Sequence, residues 1–221
     1  MNKKKWLVRL CLGFVKLTGV IPAWLLLKPR VHLAPGAKRK LPKSCILVSN
    51  HMSLMDFVLC LLVFPFRTIR FLIAEVLYRK GKFMATFLNL IGGIRVERDT
   101  QAFDFVSNAL EVLDDGGIVG VFPQARLPVK GQHFPFTVST TFIALHTNAP
   151  IVPVYTDGNY GLFKRANMVI GEPIYLRDYC KDGLGEQEQL AYLTKLLEET
   201  VFVLKKELEQ DAEKEQTTHS A

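Results

Sequence analysis

The sequence predicts an α/β fold, a mainly parallel central sheet flanked by helices, preceded by an N-terminal membrane-associating helical segment. Two observations predict the sheet and its helices. Short apolar runs of strand length alternate with longer stretches of helical period along most of the chain. Glycine or proline punctuates the joints between them, as in Gly116-Gly117 and Ala149-Pro150. The third observation is charge. Residues 1–55 hold eleven Lys or Arg and no Asp or Glu, so the net charge of +7 comes wholly from the N-terminal quarter.

That basic region points to an anionic surface, either nucleic acid or lipid headgroups. The apolar residues between the charges favour lipid and exclude nucleic acid as the partner. Trp6 to Leu27 reads WLVRLCLGFVKLTGVIPAWLLL, interrupted by Arg9 and Lys16 alone among charged residues. Two Trp near the ends suit a bilayer interface, where the indole ring is half wet. The 22 residues just reach across ~30 Å of hydrocarbon, but Arg9, Lys16, Gly19 and Pro22 break the run. One or two helices lying in the interface, with cations snorkelling to phosphates, are expected in preference to a single span. A cleaved signal peptide fits poorly, because Lys16 lies inside the apolar stretch. The expected location is the cytoplasmic face of a membrane. Cys11, Cys45, Cys60 and Cys180 have no CxxC or metal spacing and read as reduced packing residues.

Along the chain, residues 1–33 form the basic membrane-associating segment and 34–44 a linker; 45–210 form the main domain and 211–221 a polar tail. Strands are expected at 45–49, 68–74, Ile94–Glu97, Ile118–Phe122, Ile151–Tyr155 and Met168–Gly171. Helices are expected at 54–64, 83–91, Thr100–Asp114, Thr137–His146 and Gln187–Leu208. The helix expected at Thr100–Asp114 carries a clear stripe of Ala102, Phe105, Val106, Ala109, Leu110 and Leu113. Sites in parallel sheets gather at the strand carboxyl ends, where His51, Arg98 and the residues after Phe122 all fall.

Asn50-His51-Met52-Ser53-Leu54-Met55-Asp56 carries a His-x4-Asp spacing. On one continuous helix this offset would put the two side chains on different faces. A strand, a short turn and a helix start bring them together. Ser53 then suits the helix N-cap, and Asp56 completes a capping-box-like pattern. That capping role suffices to explain Asp56 alone. It is compatible with a second one, in which the carboxylate fixes the His51 tautomer and steadies its imidazolium. No GxSxG, HExxH or paired-Cys pattern occurs. A His-Asp pair without a protein nucleophile suits a base that activates a substrate hydroxyl.

Three further blocks accompany the pair: Gly92-Gly93-Ile94-Arg95-Val96-Glu97-Arg98, Val121-Phe122-Pro123-Gln124-Ala125-Arg126-Leu127-Pro128, and Ala149-Pro150-Ile151-Val152-Pro153-Val154. In this order, over residues 45–175, the chain resembles the glycerolipid acyltransferases, especially the lysophosphatidic acid acyltransferases with their HX4D motif. The resemblance implies that 45–210 is an acyltransferase domain of phospholipid biosynthesis. It implies His51 and Asp56 as the catalytic pair, and Arg98, Gln124, Ala125 and Arg126 as substrate-binding positions. Its acceptor would be a lysophospholipid such as 1-acylglycerol-3-phosphate. Its partners would be membrane lipids and a thioester acyl donor, acyl-CoA or acyl carrier protein, as co-substrate; no metal and no cofactor is implied. Pro153 is expected at an edge or bulge, with a shaping role.

The third block departs from the family's usual Phe-Pro-Glu-Gly. Gln124 replaces the acid, keeping a carbonyl acceptor without the charge. Ala125 replaces the glycine, adding a Cβ where the backbone would need positive φ or close approach. Thr137 stands where a lysine is common. These departures motivate an alternative: a non-catalytic or weakly active lipid-binding protein on the same fold. A hydrolase that uses water as acceptor is a third reading.

Overall fold

The computed structural model describes the backbone of residues 3–96, 104–129, 132 and 134–219. The side chains of residues 3–5, 7–9, 11, 12, 15, 16, 20, 104 and 212–219 lie outside that description. Among the described residues, seven strands form one sheet: β1 (Arg30–Leu33), β2 (Cys45–Ser49), β3 (Ile69–Ala74), β4 (Ile94–Val96), β5 (Ile118–Val121), β6 (Ile151–Thr156) and β7 (Asn167–Ile170). Their order is β1-β7-β6-β2-β5-β3-β4. Every neighbouring pair is parallel except β6 with β7.

Helices cover both faces, for the reason the parallel sheet requires: its strands are buried on both sides. On β2 the alternation separates them. Cys45 and Leu47 face a cluster with Leu59, Cys60, Leu88 and Ile118, whereas Ile46 and Val48 face one with Val106, Ala109, Ile143, Leu197 and Val201. The first face is covered by α1 (Lys3–Leu27), α2 (Met55–Val63), the single turn α3 (Glu75–Tyr78) and α4 (Lys82–Leu90). The second is covered by α5 (Asp104–Asp114), α6 (Val138–Leu145) and α7 (Glu186–His219). Leu193, Leu197, Val201, Leu204 and Leu208 form the buried stripe of α7.

The structure differs from the sequence reading in three places. Residues 30–33, grouped with the N-terminal segment, instead form the edge strand β1 beside β7, in register from Arg30–Asn167 to Leu33–Ile170. Four residues of mixed polarity carry no period of their own; β7 supplies the pairing. The long helix runs on through the polar tail to His219. Pro153 lies inside β6, a central strand, at a bulge as the sequence reading allowed, and the bulge absorbs the missing N–H. Ile151 bridges Ile174 and Val154 pairs with Ile170, so the β7 side carries one extra residue between those points. Lastly, Cys180 is exposed, unlike the buried Cys45 and Cys60.

α1 is one continuous helix that passes through Pro22 and lies against α2 and α4. Leu27 at its end is fully buried. Trp6, Leu10, Phe14, Leu17, Ile21 and Trp24 are all at least half exposed. Their steps of three and four residues put them on one stripe, within an arc of roughly 80°. No helix among the described residues is long and apolar enough to cross a membrane.

Candidate active site

β2, β5 and β6 lie side by side and end together, in register through Val48–Val121 and Ser49–Val154. Their C-terminal connections meet above the sheet: His51 after β2, Phe122 to Arg126 after β5, and Thr156 with Tyr160 at the end of β6 and beyond it. Asn50 joins two of these chains. Its Oδ1 accepts from Thr156 N at 2.7 Å and its Nδ2 donates to Thr156 O at 2.8 Å, which extends the β2–β6 pairing through a buried side chain.

His51 Nδ1 and Asp56 Oδ2 are 2.9 Å apart. Asp56 is fully buried in the first turn of α2. Oδ2 also accepts from Met52 N at 2.7 Å and Ser53 N at 2.8 Å. A buried carboxylate requires such donors to offset its lost hydration. Leu54, not Ser53, is the N-cap residue, and Ser53 Oγ accepts from Met55 N at 3.2 Å. Half of the expected capping box therefore forms: the acid reaches back to the Ser53 amide. The Asp56 contact assigns the Nδ1 proton, leaving Nε2 as the basic nitrogen of a neutral ring.

The His51 ring lies on Phe122, centroids 4.4 Å apart at 16°. Its backbone is fixed too, because His51 N donates to Gln124 Oε1 at 2.5 Å. Gln124 is buried. The carbonyl acceptor that a glutamine shares with a glutamate is thus what this contact uses. Ala125 has φ +57°, left-handed for a residue with a Cβ. Its amide donates to Phe122 O at 2.9 Å, closing the turn. Arg126 is exposed, with its guanidinium 4.7 Å above the Phe134 ring. Arg98 lies outside the described residues, as do Glu97 and the expected helix start at Thr100.

Sequence reasoning missed Tyr160, Thr156, Phe122 as a stacking partner, and Asn50. Tyr160 Oη donates to Asp56 Oδ1, and Thr156 Oγ1 lies 3.5 Å from the same atom. Nothing local to residues 156–160 announces this, since the partner is about a hundred positions away. Asn50 and Phe122 adjoin residues already singled out, and adjacency was the available signal. Cys60, one turn after Asp56, has its thiol pushed up by burial and then by the Asp56 charge, which keeps it from serving as a thiolate. A cleft of about 670 Å³ lined by Lys38, Lys40, Lys43, Arg67 and Glu172 opens at the amino end of β2. It is removed from His51 by the length of that strand.

Comparison with known proteins bears on the fold and the family. A solved structure, the 1-acyl-sn-glycerophosphate (LPA) acyltransferase PlsC from Thermotoga maritima, superposes with TM-score 0.59 at 24% identity. The match covers 91% of this chain and 81% of that one, and it shows the fold. The 1-acyl-sn-glycerol-3-phosphate acyltransferase of Bacillus subtilis (strain 168) is 29% identical over 59% of this chain and 66% of its own length. The human 1-acyl-sn-glycerol-3-phosphate acyltransferase beta is 25% identical over 51% of this chain and 41% of its own. The match thus spans less than two thirds of the length of the Bacillus subtilis and human relatives. The Acyltransferase family model matches residues 33–157, more than half of the sequence, and the chain belongs to that family.

Proposed function

We propose that the protein is an O-acyltransferase that moves a fatty acyl group from a thioester donor to the hydroxyl of a lysophospholipid, 1-acylglycerol-3-phosphate being the acceptor that the relatives' names support. The observation that carries the reading is the His51 Nδ1–Asp56 contact, which leaves Nε2 as a positioned base. Nε2 takes the acceptor O–H proton as the oxygen attacks the thioester carbonyl. The C–S bond then breaks, and the imidazolium returns its proton to the departing sulfur or to water. A positioned base typically contributes ~10²–10⁴-fold. The leaving thiol, with a pKa of ~8.5, departs with little help. Gln124 holds the His51 backbone, and Arg98 and Arg126 are proposed to bind acceptor phosphate.

The exposed stripe of α1 supports peripheral attachment to a lipid surface, with Trp6 and Trp24 at its ends. Phe163, fully exposed next to Leu162 and followed by Lys164 and Arg165, supports a second contact with anionic headgroups.

Purified protein supplied with radiolabelled acyl-CoA or acyl carrier protein and a panel of lysolipids tests the reading. Transfer to a lysophospholipid, reduced at least a hundredfold by His51→Ala, is the expected result. Undiminished transfer by His51→Ala would sink the base assignment. Specific lipid binding with no turnover on any acceptor would favour the non-catalytic alternative. Fatty acid released without acceptor would identify a hydrolase.

A further inference from the structure

The Asp56 carboxylate is held on both oxygens, and by different parts of the chain. Oδ2 receives the His51 ring and two amides from its own turn. Oδ1 receives the Tyr160 hydroxyl, with Thr156 Oγ1 at the 3.5 Å limit. Three donors on one oxygen fix its position. Rotation about the Cβ–Cγ bond, which would carry Oδ2 away from His51, is opposed from the Oδ1 side as well.

The loop that brings Tyr160 there is tied at several points. Asp157 Oδ1 accepts from Asn159 N at 3.0 Å and Asn167 N at 3.1 Å, closing the neck. Gly158 has φ +71°, and a Cβ there would sit 2.9 Å from Met52 Cβ, so the loop lies directly on the His51–Asp56 turn. Lys28 Nζ donates to Leu162 O at 2.5 Å, and Ala166 N donates to Leu27 O at 2.8 Å. Burial, and then the Asp56 charge, push the Tyr160 hydroxyl well above its ordinary range, so it stays protonated and donates to the carboxylate.

We propose that Tyr160 is a positioning residue that acts through Asp56: its hydroxyl locks the carboxylate so that Oδ2 stays on His51 Nδ1. This rests on the reading of His51 as base. A hydrogen bond to a charged group accounts for about a ten- to hundredfold effect.

The test is Tyr160→Phe, which removes only the hydroxyl, in the full chain. The expected result is a ten- to hundredfold fall in kcat, with KM for donor and acceptor within about twofold of the parent. The same change made on Asp56→Asn should cost no more than twofold further, because the carboxylate it acts on is already gone. In protein carrying 15N-histidine, the downfield Nδ1–H resonance of His51 should move or broaden in Tyr160→Phe. That signal does not depend on turnover, so it still judges the proposal if His51→Ala proves active and the base reading fails. An unaltered resonance would overturn the proposal, as would equal losses from Tyr160→Phe in the parent and Asp56→Asn backgrounds. If Tyr160→Phe folds poorly, Thr156→Val with 3-fluorotyrosine incorporation, read by the same resonance, replaces it. An unmoved signal there overturns the proposal equally.

Discussion

Phe71 and Phe122 stack with ring centroids 5.5 Å apart and 12° between their planes. This places the His51 ring, which lies on Phe122, at the top of an aromatic column whose foot is Phe57 against Phe71 at 4.9 Å. The column runs from the core under α2 to the imidazole, so the ring is located by packing as well as by Asp56.

Gly120 makes room for that column. A Cβ at this position would come within 2.5 Å of the Phe71 ring and 2.9 Å of Ile69 Cγ2. Gly120→Ala should therefore displace Phe71 and destabilise the fold by about 1–3 kcal/mol, the usual range for overpacking. Activity per folded molecule should also drop, because Phe122 and His51 move with it. Urea unfolding with parallel kinetics checks both; an unchanged midpoint would contradict the packing requirement.

Ala125 occupies a left-handed backbone position. Ala125→Gly should raise stability by roughly 0.5–1 kcal/mol, relief of the Cβ strain outweighing the added chain entropy. Thermal unfolding would show the gain as a higher Tm. A lower Tm would mean that the methyl group packs favourably enough to offset its conformation.

Gln124 satisfies the His51 amide from a buried position. Gln124→Leu should cost about 1–3 kcal/mol by leaving that N–H without its partner. Gln124→Glu keeps the acceptor and should restore binding geometry, with kcat nearer the parent than in the leucine variant. The ranking of the two in steady-state kinetics decides the point.

Alkaline stability depends on several buried groups; Cys60 and Tyr160 are among them, and Cys45 and Tyr155 lie away from the His51–Asp56 pair. Burial pushes the Cys45 thiol up to about 12, and burial followed by Asp157 and Glu209 pushes the Tyr155 hydroxyl up to about 12. Unfolded, these groups lose their protons near pH ~8.5 and ~10. The folded state then binds more protons than the unfolded one, so stability is full below about pH 8.5 and falls as pH rises toward 12. The urea midpoint should decline through this window. Cys45→Ala and Tyr155→Phe should each flatten that decline, and a slope identical in all three proteins would refute the assignment.

Much of this architecture was legible in the sequence because it is local. β2, β5 and β6 are short apolar runs that need no partner to be recognised. The turn from His51 to Asp56 could be derived from spacing alone. β1 was not legible, since its four residues are a strand only because β7 lies beside them. Tyr160 escaped for a related reason: its role is set by where the β6–β7 connection folds back, over the turn that holds Asp56. The altered Gln124-Ala125 pair was visible as a departure. Its consequence, an acceptor retained and a strained φ, required coordinates.

Only Lys28 and Pro29 separate the exposed apolar helix α1 from β1. The basic stretch of residues 34–44 lies after that strand, so it is no leash between a lipid-contacting helix and the sheet. Hydrogen bonds from Lys28 and Ala166 fasten the junction on either side. The height and tilt of His51 above any surface that receives α1 are therefore built in, like a tool in a fixed jig. Substrate headgroups would be met at one depth, and lengthening the Lys28-Pro29 joint should impair turnover on vesicles more than on dispersed lysolipid.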